Sequence, residues 1–215
     1  MTLTERLKFE TDSEHDSLER TPILARQARG LLSQKGYVEI LKQLYLIHAC
    51  LEELLEKYPE NPHIAACYQD YHPRRERALA DIHFFEPELS SKEFKPNQGT
   101  KKLLDFFETI AKKDPGYLLG AFYVLEGSNF GAAFLVNVFQ KTYRLEEAGV
   151  SYYLGHKDKL KLRWDRFKDA LNAAFLDVKD QDEVVAIAQH TFALIREMYL
   201  DIEDDKQLAK KAGGH

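Results

Sequence analysis

Residues 116–139, GYLLGAFYVLEGSNFGAAFLVNVF, constrain this chain more than any other stretch. Almost every residue in it favours helix and no proline interrupts it, yet Gly120, Gly127 and Gly131 lie inside. An interior glycine costs a helix about 1 kcal/mol relative to alanine. Spacings of seven and four place the three glycines on nearly one stripe. A stripe without side chains allows close approach to the backbone, either by a packed helix or by a flat ligand. The Gly127-Ser128 pair also permits a local kink. The stretch by itself favours neither reading, so the rest of the chain has to decide.

The remaining sequence reads as helices. Thr2 and Glu5 form a capping box for a helix running to about Arg20, with Leu3, Leu7, Thr11, His15 and Leu18 on its apolar side. Thr21-Pro22 opens a short helix ending near Gly30. Tyr37–Tyr58 is strongly amphipathic and stops at Pro59; further helices are expected from Asn61 to Tyr71 and from Arg74 to Phe85. An irregular stretch follows over Glu86–Gly99. Thr100 is read as the cap of a helix to Lys113, and Asp114-Pro115 as the cap of the glycine-bearing helix. Arg144–Gly155 reads as a loop, followed by helices over His156–Asp177 and Asp180–Asp201, the second capped by Asp180. The expected fold is all-α: a single-domain bundle of about eight helices over residues 1–202, with 203–215 as a flexible C-terminal tail.

Charge and cysteine usage narrow the function classes. A net charge of -5 argues against general nucleic-acid binding. Cys50 and Cys67 have no metal-finger spacing, which suits a reducing compartment. The polar, acidic N-terminus does not read as a signal peptide, and no apolar run is read as a membrane span. The expected setting is cytoplasmic.

Of the eight histidines, His15 stands out, because it lies on the apolar side of its helix with Glu19 one turn later. One ring nitrogen there could ligate a metal while the other is oriented by hydrogen bonding. A single such histidine suits haem iron better than zinc, which takes three or four protein ligands. The chain lacks the paired Glu-x-x-His motifs of a diiron bundle. It also lacks a nucleophile elbow on a strand-to-helix turn and a phosphate-binding Gly-Lys-Ser/Thr. Lys157–Lys168 is the densest basic run and reads as a solvated helix face, or as a dock for an acidic electron donor.

Three stretches, in order, resemble the haem oxygenase family. Thr11-x-x-x-His15-x-x-x-Glu19 is similar to the family's proximal-ligand helix. Leu44-Tyr45-x-x-His48-x-x-Leu51-Glu52-Glu53 is similar to its LY-x-x-Y-x-x-LEE helix, with His48 in the second tyrosine slot. Tyr123-Val124-Leu125-Glu126-Gly127-Ser128-Asn129-Phe130-Gly131 is similar to the YVLEGS-x-x-G distal helix of bacterial members associated with bacteriophytochromes. The Arg166-Phe167-x-x-x-Leu171-Asn172 segment extends the likeness over most of residues 5–200.

The resemblance implies a haem-degrading monooxygenase in which haem is both cofactor and substrate, opened to biliverdin with release of iron and carbon monoxide. His15 would be the metal ligand, set by Thr11 and Glu19 in the same helix. Gly127, Ser128 and Gly131 would form the catalytic distal wall, with Gly127 and Gly131 letting the backbone approach the haem face. Lys8, Arg163 and Lys168 would meet its propionates. Electrons would come from ferredoxin or a reductase, and biliverdin could pass to an acceptor such as a bacteriophytochrome. The sequence departs from the pattern at Ser128, where many members have aspartate. It departs again at Ala132, where a further glycine is usual and a methyl is expected to narrow the pocket. These departures leave open an alternative, a haem-binding carrier or sensor without turnover.

Overall fold

Thr2 Oγ1 accepts from the Glu5 amide while the Glu5 carboxylate accepts from the Thr2 amide, a reciprocal cap for two donors that a helix start leaves orphaned. In the computed structural model, which describes residues 1–204, this cap starts α1 (Leu3–Glu10). The helix does not continue unbroken to Arg20. It breaks at Thr11 and resumes as α2 (Asp12–Glu19). At the break the buried Thr11 hydroxyl donates to Leu7 O at 2.7 Å, and Gln189 Nε2 donates to Glu10 O at 2.7 Å. Side chains therefore occupy the carbonyls flanking the irregular residue.

The other helices are α3 (Pro22–Ala28), α4 (Gln34–Lys57), α5 (Pro62–Cys67), α6 (Arg75–Phe85), α7 (Gln98–Lys113), α8 (Leu118–Gly127), α9 (Asn129–Tyr143), α10 (Ser151–Leu154), α11 (Leu160–Ala174) and α12 (Val178–Leu200). No strand occurs among the described residues, so the all-α expectation holds. Several boundaries differ from the sequence reading. Asn97, not Thr100, caps α7: its side chain accepts from the Thr100 amide at 2.9 Å. Asp177, not Asp180, caps α12; Asp180 instead accepts from the Tyr117 hydroxyl at 2.7 Å. The helix after Asn61 stops at Cys67, and α11 begins only at Leu160. The expected loop over residues 144–155 contains α10, whose start is anchored when the Asp81 carboxylate accepts from the Ser151 and Tyr152 amides.

Two long rods frame the interior. α4 packs on α6 and α7, and α12 packs on α7 and α8 while also supporting α1 and α2. Every residue from Leu118 to Glu126 is buried. That central position explains a correction. Pro115–Tyr143 is long enough, and in an 18-residue window with mean hydropathy of 1.3 apolar enough, to cross a membrane, contrary to the sequence expectation that no run qualifies. The apolarity serves the core instead, since 56% of its most apolar 18-residue window is buried inside the fold.

The chain remains anchored past Leu200. Ile202 and Asp204 are buried, and the Asp204 carboxylate pairs with Arg26 and accepts from the Ser33 amide at 3.3 Å. The flexible tail expected from residue 203 therefore does not include these positions; residues 205–215 lie outside the described part.

Gly120 is a packing glycine. A Cβ there would stand 2.5 Å from Val184 O, a backbone atom of α12 that cannot swing away. Gly120→Ala is expected to destabilise the fold by about 1–3 kcal/mol through overpacking. Gly131→Ala, where a Cβ meets nothing within 4 Å, should leave stability unchanged or slightly raised. Urea unfolding of both variants checks this, and equal stability of the two would contradict it.

Candidate functional site

The glycine-bearing rod is two helices that meet at Ser128. A break inside a buried rod frees carbonyls that must find donors. Ser128 Oγ donates to Leu125 O at 2.6 Å, Arg74 Nη1 donates to the same carbonyl at 3.2 Å, and Asn129 Nδ2 donates to Glu126 O at 2.9 Å. Arg74 also donates to Ser128 Oγ at 3.1 Å and, through Nη2, to Tyr152 O at 3.3 Å. Its guanidinium lies 4.0 Å from the centre of the Tyr152 ring, and the whole residue is 1% exposed.

Two buried carboxylates flank this cation. Glu52 accepts from the Arg74 amide at 2.7 Å, from the Arg75 amide at 3.3 Å and from His48 Nδ1 at 2.9 Å. The Tyr152 hydroxyl lies 3.0 Å from His48 Nε2. With Nδ1 donating to the carboxylate, Nε2 is left as the acceptor for that hydroxyl. Burial raises the Glu52 carboxyl, but these donors outweigh it and hold the group below its ordinary value.

Glu126 accepts from His156 Nε2 at 2.7 Å and from Asn129 Nδ2 at 3.1 Å. Here too the donors and nearby cations overcome burial and lower the carboxyl. His156 Nδ1 lies 2.7 Å from Arg163 Nη1. A guanidinium can only donate, so Nδ1 carries the lone pair and the ring proton sits on Nε2, facing Glu126.

His15 corrects the sequence expectation. It is exposed, not buried, because α2 turns after the Thr11 break and contributes no buried residue. Its ring packs edge-on against Phe192 of α12 at 5.8 Å, and Nε2 lies 3.6 Å from Glu19 Oε1. His15, Asp16 and Glu19 bring ligand atoms within 4.8 Å of one another, all exposed. Thr11 is buried at the break, and Lys8 is exposed in the last turn of α1.

The three glycines do not share one role. Gly120 meets α12, whereas a Cβ at Gly127 would meet the Trp164 ring at 3.4 Å and one at Gly131 would meet open space. Beside Gly131, Phe130 and Phe134 are 45% and 66% exposed, an apolar face on which Phe130 also meets the Trp164 ring edge-on at 5.9 Å. Ala132 is buried, so its methyl does not narrow that face as the sequence reading expected. On α11, Lys168 pairs with Asp165 at 3.2 Å. Arg163, expected at a propionate, is instead engaged by His156 and lies 4.3 Å from the centre of the Tyr71 ring. A half-open hollow of about 190 Å³ beside Cys67, Tyr71, Arg166 and Phe167 borders neither His15 nor Gly131.

Sequence reasoning missed Arg74, which sits in the run Pro73-Arg74-Arg75-Glu76-Arg77 and looks like any solvated helix start. It also took His156 for the first residue of a helix. One signal was available for both: a glycine-serine break in a fully apolar rod requires polar partners from elsewhere in the chain.

The pH dependence follows from two of the buried imidazoles, His48 and His72. Burial pushes His48 down, against the opposing pull of Glu52, and pushes His72 down to about 4. An imidazole whose folded value lies below its unfolded one takes up protons more readily when unfolded. Stability is then complete above about pH 6.5 and falls as pH drops from there towards 4, by about 3 kcal/mol for His72 alone. Thermal melts across this range should show the loss, and His72→Gln should flatten it. A variant profile parallel to the wild type would contradict the assignment.

Comparison with known proteins agrees with the all-α fold. The family model described as Heme oxygenase matches residues 1–201. Heme oxygenase 2 of Synechocystis is 26% identical over 210 residues, covering 94% of this chain and 83% of that protein. Heme oxygenase 1 of Gallus gallus is 26% identical over 198 residues, covering 89% of this chain and 67% of that protein. The solved structure of the Synechocystis heme oxygenase-2 in complex with heme and NO superposes with a TM-score of 0.90 at 24% identity, covering 100% of this chain and 89% of that one.

Proposed function

Because this chain belongs to the haem oxygenase family, we propose that it binds haem between α2 and α9 and opens the ring to biliverdin, releasing iron and carbon monoxide. The observation that carries the reading is the bare, exposed face at Gly131, flanked by Phe130 and Phe134, in a fold that also presents an exposed imidazole at His15. A broad, flat, apolar molecule fits such a face, since any side chain at Gly131 would fill the space above the backbone. One histidine suits a metal that brings its other ligands with it.

Each residue then has a task. His15 ligates the iron through one ring nitrogen, while Glu19 is placed to orient the ring. Thr11 ends α1 and sets the direction of α2. Gly131 lets the α9 backbone approach the ligand face, and Gly127 lets α8 lie against Trp164 at the edge of that wall. Ser128 places a hydroxyl at the break. Lys8 and Lys168 are the cations we assign to the propionates, with Arg163 committed inward to His156. When bound, haem supplies the iron that activates dioxygen and the ring that is oxidised. The protein supplies the ligand, the apolar wall and the polar groups at Ser128.

The same proposal includes ferredoxin or a reductase as electron donor, docking on the basic run Lys157–Lys168, and an acceptor for biliverdin such as a bacteriophytochrome. Free Cys50 and Cys67 suit a reducing, cytoplasmic setting. The alternative of a haem carrier without turnover draws on Ser128 standing where many members have aspartate.

Addition of hemin to the purified protein should give a Soret band typical of histidine ligation. Addition of ascorbate or reduced ferredoxin under air should remove it and yield biliverdin. A band that survives reductant supports the carrier, and no band excludes both readings. His15→Ala should abolish turnover with helix content unchanged, because the side chain is exposed; full activity in that variant would overturn the ligand assignment. Gly131→Leu should weaken hemin binding at least about tenfold by filling the open face.

A further inference from the structure

Resting on the haem reading above, we infer that Arg74 is the positioning residue for the distal wall, fixing the Ser128 hydroxyl so that it presents only an acceptor to the ligand side. The hydrogen-bond inventory of that hydroxyl leads there. A serine hydroxyl has one proton and two lone pairs. The proton is given to Leu125 O at 2.6 Å, and one lone pair receives Arg74 Nη1 at 3.1 Å. One lone pair is left, on a residue whose surface is exposed. A water at Ser128 therefore has to donate to it, and that water's second proton is free to point at whatever lies over the α9 face.

The polarity of this arrangement is set by Arg74. The guanidinium is held from several sides, by Leu125 O, Ser128 Oγ, Tyr152 O and the Tyr152 ring. Its backbone is fastened to Glu52 at 2.7 Å. It cannot swing away without leaving acceptors unpaired in the interior. A water ordered by a carboxylate and a water ordered by this Arg74-backed serine share an orientation, because both donate to the protein. The structure thus supplies, with a neutral hydroxyl and a buried cation, the acceptor for which aspartate is usual at this position. Arg74 touches no substrate; it acts through Ser128.

The test reads the distal field without turnover. Carbon monoxide bound to reduced haem has a stretching frequency that falls in a positive field and rises when that field is removed. In the haem-loaded protein, Arg74→Met should raise the C–O stretch and Arg74→Lys should return it towards the wild-type value. In a Ser128→Ala background the effect of Arg74→Met should shrink, since two residues acting through one contact are not additive. Hemin affinity of the Arg74→Lys variant should stay within about threefold of the wild type, as Arg74 acts only through Ser128. An Arg74→Met protein that binds haem with an unshifted stretch overturns the inference, and so does an undiminished shift in the Ser128→Ala background. If Arg74→Met does not fold, Ser128→Ala and Arg74→Lys decide. Ser128→Ala must move the stretch, and Arg74→Lys must move it less in that background than alone; failure of either overturns the assignment. A wild-type protein that forms no carbonyl complex overturns the haem reading itself, a result distinct from a complex that forms and ignores Arg74.

Discussion

A helix buried on all sides cannot break its backbone ladder without donors brought from elsewhere. α8 is such a helix, and it breaks at Ser128. An unpaired buried carbonyl costs about 1–3 kcal/mol, so the carbonyls of Leu125 and Glu126 have to be met. Arg74, Ser128 and Asn129 meet them. The buried charge this introduces needs its own partners, which accounts for the surrounding network: Glu52 with His48 on one side, and Glu126 with His156 and Arg163 on the other. The network joins α4, the start of α6, the α8–α9 junction, α10 and α11. Opposite charges close enough to interact strongly in a poorly solvated interior make removal of any one of them expensive.

The break serves function by separating two faces of one stretch. Before it, α8 is committed to the core, with Gly120 against the α12 backbone. After it, α9 turns a bare face outward at Gly131. α12 underlies both ends of the proposed site, because it packs on α8 and on α2 and sets Phe192 against His15. The breaks at Thr11 and Ser128 are alike in kind: Gln189 meets the freed Glu10 carbonyl at the first, and Ser128 the freed Leu125 carbonyl at the second. Each ends a helix that packs into the core, and the segment that follows is more exposed.

Much of this was legible in the sequence, and the gaps have physical causes. The Thr2 capping box and the amphipathic α4 follow from local chemistry, and the structure has them. Thr100 and Asp180 were misplaced as caps because several polar residues near a helix start compete, and tertiary contacts such as Tyr117 with Asp180 choose among them. His15 was placed on the buried side because a period of 3.6 was carried through Thr11, where the helix in fact breaks. Arg74 was invisible because nothing local distinguishes a buried arginine from a solvated one; its role comes from residues more than fifty positions away. The apolar length of Pro115–Tyr143 likewise records burial, which hydropathy alone cannot separate from a membrane span.

The central claim is that a flat ligand lies between α2 and the bare face of α9 while the polar network beneath stays fixed. Hydrogen–deuterium exchange with and without hemin measures that footprint directly. Added protection is expected only in α2 and in residues 127–134, with the Arg74 and Arg75 amides bonded to Glu52 unchanged. Protection centred instead on the hollow beside Tyr71, or spread evenly over the bundle, would contradict it.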